Sequence, residues 1–316
     1  MIFNQFKLTK ILFSFVFLFL AQAAMGNEPL TIVTTAPDIA EMAKKIAGKE
    51  GRVEALLSGR EDVHFLDAVP TYVLRASRAD IFCFMGLELE EGWLPRVLSR
   101  STNPKIQSGG DGYCNLGRFV NALEVPTGTI DRSMGDVHAS GNPHFNLSPK
   151  ALIESSEAIL NALISTRPER SEYFTKNHRK LVSELEALHR EIKALFEPYS
   201  QKISEKPLFI EYHKEFTYFF DAYGIRSFGS IEETPGVPPS ARRLAEVSRR
   251  AQDSGVILAL GAYYTPRRHL RRFSQLSDIS YVQLPTYVQP NMEKYSSIAK
   301  VQKNIASQLI EALKKE

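Results

Sequence analysis

Three of the seven histidines stand in loops where their side chains could do chemistry. His64 lies in Gly59-Arg-Glu-Asp-Val-His-Phe65, His144 in Gly141-Asn-Pro-His-Phe145, and His213 ends the run Leu208-Phe-Ile-Glu-Tyr-His213. Neutral imidazoles brought together from separate loops are a donor set for zinc, with a carboxylate or a water as the remaining donor. Spacing alone leaves this open, because a single loop histidine is more often a polar side chain satisfied by its own neighbours. Other chemistries lack their residues. No H-E-x-x-H and no G-x-S-x-G stands in the chain, so neither a helix-borne catalytic zinc nor a nucleophile elbow is indicated. The 39 basic and 36 acidic residues leave a net charge of +3, which argues against nucleic acid, whose partners present a strongly basic face. Two cysteines are too few for a disulfide framework or a thiolate zinc site.

The elements that must position these histidines alternate. Leu30–Thr34 reads as a strand, Asp38–Ala47 as a helix, Val53–Leu57 as a strand, Tyr72–Ala79 as a helix and Ile81–Met85 as a strand. The second half repeats the theme without a fixed period. A strand over Leu208–Tyr212 and a helix over Lys214–Tyr223 are followed by Pro239–Asp253, Val256–Ala262, Arg267–Gln275, Ile279–Leu284 and Glu293–Lys315, alternately helix and strand. Such alternation predicts mostly parallel sheets flanked by helices, and 316 residues are enough for two cores. Between the halves, Pro149 to Tyr199 is a charged helical segment broken at Pro168, where proline removes a helical donor and clashes with the preceding turn. The expected architecture is an α/β protein of two lobes joined by a long rigid helix, with a cleft between them. In such sheets ligands bind beyond the carboxyl ends of the strands.

Residues 1–23 read as an address. Lys7 and Lys10 precede an apolar run from Ile11 to Leu20, and Ala21-Gln-Ala23 supplies a cleavage site. The run is shorter than the ~20 residues a membrane span takes, and no cysteine follows it to accept a lipid. The expectation is a periplasmic protein cleaved near Ala23, with no membrane anchor of its own. In an oxidising compartment Cys83 and Cys114 either pair or remain a buried apolar side chain and an inert thiol. His178 and His189 fall on the charged helix and are expected to be solvated, as is His269 in Arg267-Arg-His-Leu-Arg-Arg272.

Taken together, several segments carry a resemblance. Asp62-Val-His64 with Pro70, Ala79-Asp80, Gly86-Leu-Glu88 and Trp93, then Asn103-Pro-Lys-Ile-Gln107 and Gly135-Asp-Val-His-Ala-Ser-Gly-Asn-Pro-His144, follow in order. Tyr212-His-Lys-Glu-Phe216 and Ile231-Glu-Glu-Thr-Pro-Gly-Val-Pro-Pro-Ser240 complete the set. Over essentially all of residues 24–316 the chain resembles the zinc- and manganese-binding solute receptors of bacterial ABC transporters. With residues 1–23 read as a signal peptide, the expected units are an N-terminal lobe over 24–148, a connecting helical segment over 149–199 and a C-terminal lobe over 200–316, and the resemblance implies this two-lobed fold with its connecting helix. It also implies one metal ion in the interlobe cleft, held by His64, His144 and His213, and delivery of that ion by a monomeric receptor, not an enzyme, to a membrane permease.

Two departures bear on the fourth donor. Where many members carry Trp-Leu-Asp-Pro, this chain has Asn146-Leu-Ser-Pro149, and where many place a ligand Asp it has Gln283-Leu-Pro-Thr-Tyr-Val288. Glu232, in a second-lobe loop beside the Pro235-Gly236 turn, is the expected substitute, with water or His138 as alternatives. His138 either swings in as a capture ligand or caps a turn. Manganese prefers oxygen donors, so a three-imidazole set favours Zn²⁺ over Mn²⁺. A manganese or iron receptor of the same type is the nearest alternative function, and a secreted zinc-dependent hydrolase is the alternative from another class.

Overall fold

The computed structural model describes residues 28–128, 134–135 and 137–316. The leader expected over 1–23 lies outside the described residues, among which no helix is long and apolar enough to cross a membrane.

The first lobe is built from β1 (Leu30–Thr34), α1 (Pro37–Ala47), β2 (Gly51–Ala55), α2 (Pro70–Ser77), β3 (Ile81–Phe84), α3 (Leu94–Ser101) and β4 (Tyr113–Asn115). Its four strands are parallel in the order β2-β1-β3-β4. Proline opens α1 and α2, where its missing N–H costs nothing because the first helical donors have no intrahelical partner. All four residues of β3 are buried, as expected of a parallel strand covered on both faces. The Gly/Asn stretch around Cys114 forms β4, a strand too short for a periodic signal. Its register sets Cys114 opposite Cys83, and the two form a disulfide.

Two helices follow, α4 (Pro149–Thr166) and α5 (Ser171–Phe196). The expected single connecting segment is a hairpin, because the chain reverses at Arg167-Pro168. Ser156 of α4 meets His178 of α5 across it at 2.8 Å. The first of the pair packs on β3 and β4 within the first lobe. The second, α5, runs from one lobe to the other. Asn177 near its start donates to the Ile46 carbonyl at 3.0 Å, and Phe196 at its end packs on Phe219 and Tyr223 of the second lobe. Its buried stripe, Phe174, His178, Leu181, Leu185, Leu188 and Ile192, keeps the 3-4 spacing of one helix face.

The second lobe comprises α6 (Ser200–Glu205), β5 (Phe209–Glu211), α7 (Thr217–Tyr223), β6 (Ser227–Ser230), α8 (Ala241–Asp253), β7 (Leu258–Ala262), α9 (Arg267–Ser277), β8 (Ser280–Leu284) and α10 (Ile298–Lys315). Its strand order, β6-β5-β7-β8 and all parallel, is the first lobe's order over again. Each lobe therefore has a switch point beside its first strand, where a crevice opens at the strand ends.

A buried polar junction locks the lobes together. Asp38, on α1 and 1% exposed, accepts from the Val288 amide at 2.9 Å and from Asn146 Nδ2 at 3.4 Å. Asn146 also donates to the Thr286 carbonyl at 2.7 Å and accepts from Gln302 Nε2 at 3.1 Å. Gly59 (φ +84°) passes so close to the Val288 carbonyl that a Cβ there would lie 2.0 Å from its oxygen, so only glycine fits.

Burial pushes the Asp38 carboxyl up to about 7, against the pull of its hydrogen bonds to Val288 and Asn146. A group whose pKa rises on folding stabilises the fold below its unfolded value, and that contribution is lost as pH rises towards the folded value. Replacing Asp38→Asn should therefore flatten the pH profile of stability between about pH 4 and 7. The wild-type minus variant unfolding free energy should fall with pH by as much as ~1.4 kcal/mol per unit. Denaturant titrations across that range check it, and parallel profiles would contradict the assignment.

Candidate metal centre

Each of the three loop histidines is placed by a different element. His64 follows β2 in a loop held by Trp93, whose Nε1 donates to the Val63 carbonyl at 2.9 Å. Asp62 Oδ1 accepts from the His64 amide at 3.1 Å and contacts the ring Nδ1 at 2.9 Å. His213 sits directly beyond the end of β5, and its Nδ1 meets Glu232 Oε2 at 2.9 Å. A carboxylate on Nδ1 keeps the proton there and turns the lone pair of Nε2 outward, the tautomer a metal needs.

His144 enters at the start of the turn that leads into α4. Its amide donates to Asn142 Oδ1 at 2.9 Å. Asn142 Nδ2 in turn donates to the Lys214 carbonyl at 2.8 Å, tying the second histidine's loop to the third's. The His144 ring is 3% exposed and its Nε2 has no hydrogen-bond partner. Burial, then the neighbouring His64, His213 and His138 rings, drives its pKa well below the ordinary imidazole value. It is therefore a neutral donor at pH 7.

One ligand atom from each of these rings lies within 4.8 Å of the others. The ring centroids are 5.1 Å apart for His64 and His144, 5.3 Å for His144 and His213, and 5.5 Å for His64 and His213. Three facing imidazoles, two of them backed by carboxylates, match the donor chemistry of a single zinc ion. A cavity of about 190 Å³ opens beside them.

Glu232, expected as a fourth donor, stands behind His213 instead. Its Oε2 holds the ring Nδ1 and also accepts from the Gly236 amide at 2.9 Å, so the turn residues fix it as an orienting group. The His138 ring stands 5.5 Å from that of His64, while its carbonyl accepts from the Gly141 amide at 3.2 Å to close a turn. Gln283 takes no part; its Nε2 donates to the Thr265 carbonyl at 2.8 Å. One acid escaped sequence reasoning. Glu215, two residues past His213 in a turn closed by its own amide at 2.8 Å to the His213 carbonyl, is 1% exposed and lines the cavity. Burial pushes its carboxyl up to about 7. A carboxylate within a turn of a ligand was the available signal.

Of the remaining histidines, His178 is buried, against expectation, while His189 and His269 are half-buried. His178 is 5% exposed on the buried stripe of α5. His189 stacks on Tyr223 at 5.3 Å, and burial lowers the pKa of both. His269 stacks on Tyr212 and bonds its hydroxyl at 2.7 Å, which supports the residue next to His213.

Comparison with known proteins finds the sequence pattern of ZnuA, the periplasmic zinc-uptake complex component A, over residues 32–312. The zinc-binding lipoprotein AdcA of Streptococcus pneumoniae is 29% identical over 248 residues, 77% of this chain and 47% of that protein. The chain thus spans about half the length of that relative. The iron ABC transporter substrate-binding lipoprotein MtsA of Streptococcus pyogenes is 27% identical over 253 residues, 76% of this chain and 77% of that one. Among solved structures, the periplasmic zinc-binding protein TroA from Treponema pallidum superposes with a TM-score of 0.73 over 90% of this chain and 99% of that one, at 17% identity. The fold is shared: two α/β lobes.

If Asp62 and Glu232 orient ligands without being ligands, Asp62→Asn and Glu232→Gln should each weaken Zn²⁺ binding by ~10–100-fold. Competition against a chelator measures the loss, and the X-ray absorption shell should keep its donor count and types. Loss of an oxygen donor in Glu232→Gln would show that Glu232 binds the ion itself.

Proposed function

The chain belongs to the zinc-uptake complex component A family, and on that premise we propose that it is an exported receptor that captures Zn²⁺ and delivers it to the permease of an ABC importer. The observation that carries this reading is the set of three imidazoles from three loops, with ligand atoms within 4.8 Å of one another. His64, His144 and His213 are the ligands, with Asp62 and Glu232 on the outer nitrogens of the first and third. Receptors of this kind bind and release without turnover, so the hydrolase reading falls away with the family assignment.

Zinc is favoured over manganese and iron by the donors. Three neutral nitrogens suit zinc, whereas manganese calls for carboxylate and water oxygens. The iron-transport name of the Streptococcus pyogenes relative keeps an iron or manganese receptor as the second reading. Residues 1–23 act as a cleaved leader, and the working units are 24–148, 149–199 and 200–316, in a monomer of the periplasm. The cleft position supports delivery. The site is built from loops of both lobes, so a small change in lobe packing alters all three bonds together.

Protein purified without chelator should carry one zinc per chain by elemental analysis. His64→Ala, His144→Ala and His213→Ala should each abolish tight binding. His178→Ala should leave affinity unchanged and cost only stability, because its ring is spent on Ser156. Equal loss of affinity in all four variants, or stoichiometric manganese or iron in place of zinc, would overturn the assignment.

A further inference from the structure

Three imidazoles leave one corner of a zinc tetrahedron to fill. Two of the nearby carboxylates are committed elsewhere. Asp62 Oδ1 holds the His64 ring, and Glu232 Oε2 is shared between the His213 ring and the Gly236 amide. The last loop of the second lobe brings no acid to the site, since Gln283 is tied to the Thr265 carbonyl and to Arg267 Nε at 3.1 Å. Glu215 differs from all of these. It is 1% exposed, and neither of its carboxylate oxygens makes a hydrogen bond of regular geometry, although the Tyr264 hydroxyl lies beside it. It shares its cavity with His64 and His213.

Burying a carboxylate without partners is unfavourable, and natural structures tolerate the cost where a cation or a hydrogen-bond network offsets it. Around Glu215 stands the Tyr264 hydroxyl, and neither carboxylate oxygen meets a donor at regular hydrogen-bond geometry. The intervening residue does not neutralise it either, because Lys214 turns away to pair with Glu124. What the carboxylate does face is the group of imidazoles, which has no negative charge of its own to offset a doubly charged ion.

We propose that Glu215 supplies the fourth donor to the ion held by His64, His144 and His213. The inference rests on the receptor reading above. The three nitrogens fall within 4.8 Å of one another without the Glu215 oxygens, so coordination draws the carboxylate across the cavity. That movement is a rotation of a side chain which no regular hydrogen bond holds back. It takes the site from +2 to +1 and replaces a solvent oxygen with one fixed to the same turn as His213. Capture of the ion and ordering of that turn are then a single event. In this chain the acid comes from the loop that already carries the third histidine.

The test uses the mature chain and its Glu215→Gln and Glu215→Asp variants, with Zn²⁺ as the only added metal. Three quantities are read: melting without metal, affinity by chelator competition, and the X-ray absorption shell. Without metal, Glu215→Gln should melt no lower than wild type, because it removes a buried carboxyl whose oxygens make no regular hydrogen bond. With metal, it should bind at least ~10-fold more weakly, gain less in melting temperature, and lose the carboxylate oxygen from the shell. Glu215→Asp should recover part of the affinity. Unchanged affinity and shell in Glu215→Gln would overturn this inference and leave the receptor reading standing. A wild type that binds no Zn²⁺ would overturn both.

Discussion

Three imidazole rings with centroids 5.1 to 5.5 Å apart cannot all be imidazolium cations, because like charges that close and that poorly hydrated repel strongly. Burial and the neighbouring rings together hold His144 neutral. The carboxylates on the outer nitrogens of His64 and His213 turn their other nitrogens to the same point, and lone pairs facing one another repel as well. A cation at their centre relieves both conflicts. The local sequence is arranged around that constraint: Asp62 and Glu232 occupy the outer nitrogens, and Asn142 ties the loops of the second and third histidines together.

Holding such an arrangement demands a stiff frame. The two sheets share one strand order, and each directs loops from its switch point into the interlobe cleft. A helix of 26 residues spans the lobes, and α10 returns across the junction, where the Ile298 amide donates to Glu41 at 2.7 Å. Asp38 closes the far side by gripping the backbone of the last loop. A frame bridged this way at several points resists wide hinge opening, so metal entry and release are expected to work through loop and side-chain shifts near the site. Glu215, buried in the cavity without a regular hydrogen bond, fits that description.

Much of this was legible in the sequence because the signals are local. Short apolar runs between helical periods mark three strands of each sheet, while β4 and β6 are short and carry no such run, and the three histidines stand out as loop residues at strand and helix ends. What escaped depended on contacts between distant segments. The hairpin of α4 and α5 was hidden because Pro168 marks a break without stating its angle. His178 looked solvated amid charged neighbours, although its place on the Phe174–Leu181–Leu185 stripe gave its burial away. Glu232 was read as a ligand because a carboxylate near a cleft serves equally well in front of a histidine or behind it. Only the 2.9 Å contact to Nδ1 separates the two roles. For Glu215 the sequence offers its place two residues past His213, but the burial that sets it apart depends on distant segments.

The central claim is that one ion sits among His64, His144 and His213. Anomalous diffraction from zinc-loaded crystals, collected on both sides of the zinc absorption edge, tests it most directly. The account predicts a single strong peak bonded to one ring nitrogen from each of the three histidines, with Asp62 and Glu232 on the opposite ring nitrogens of His64 and His213. A peak elsewhere on the molecule, or one that leaves out any of the three rings, would contradict it.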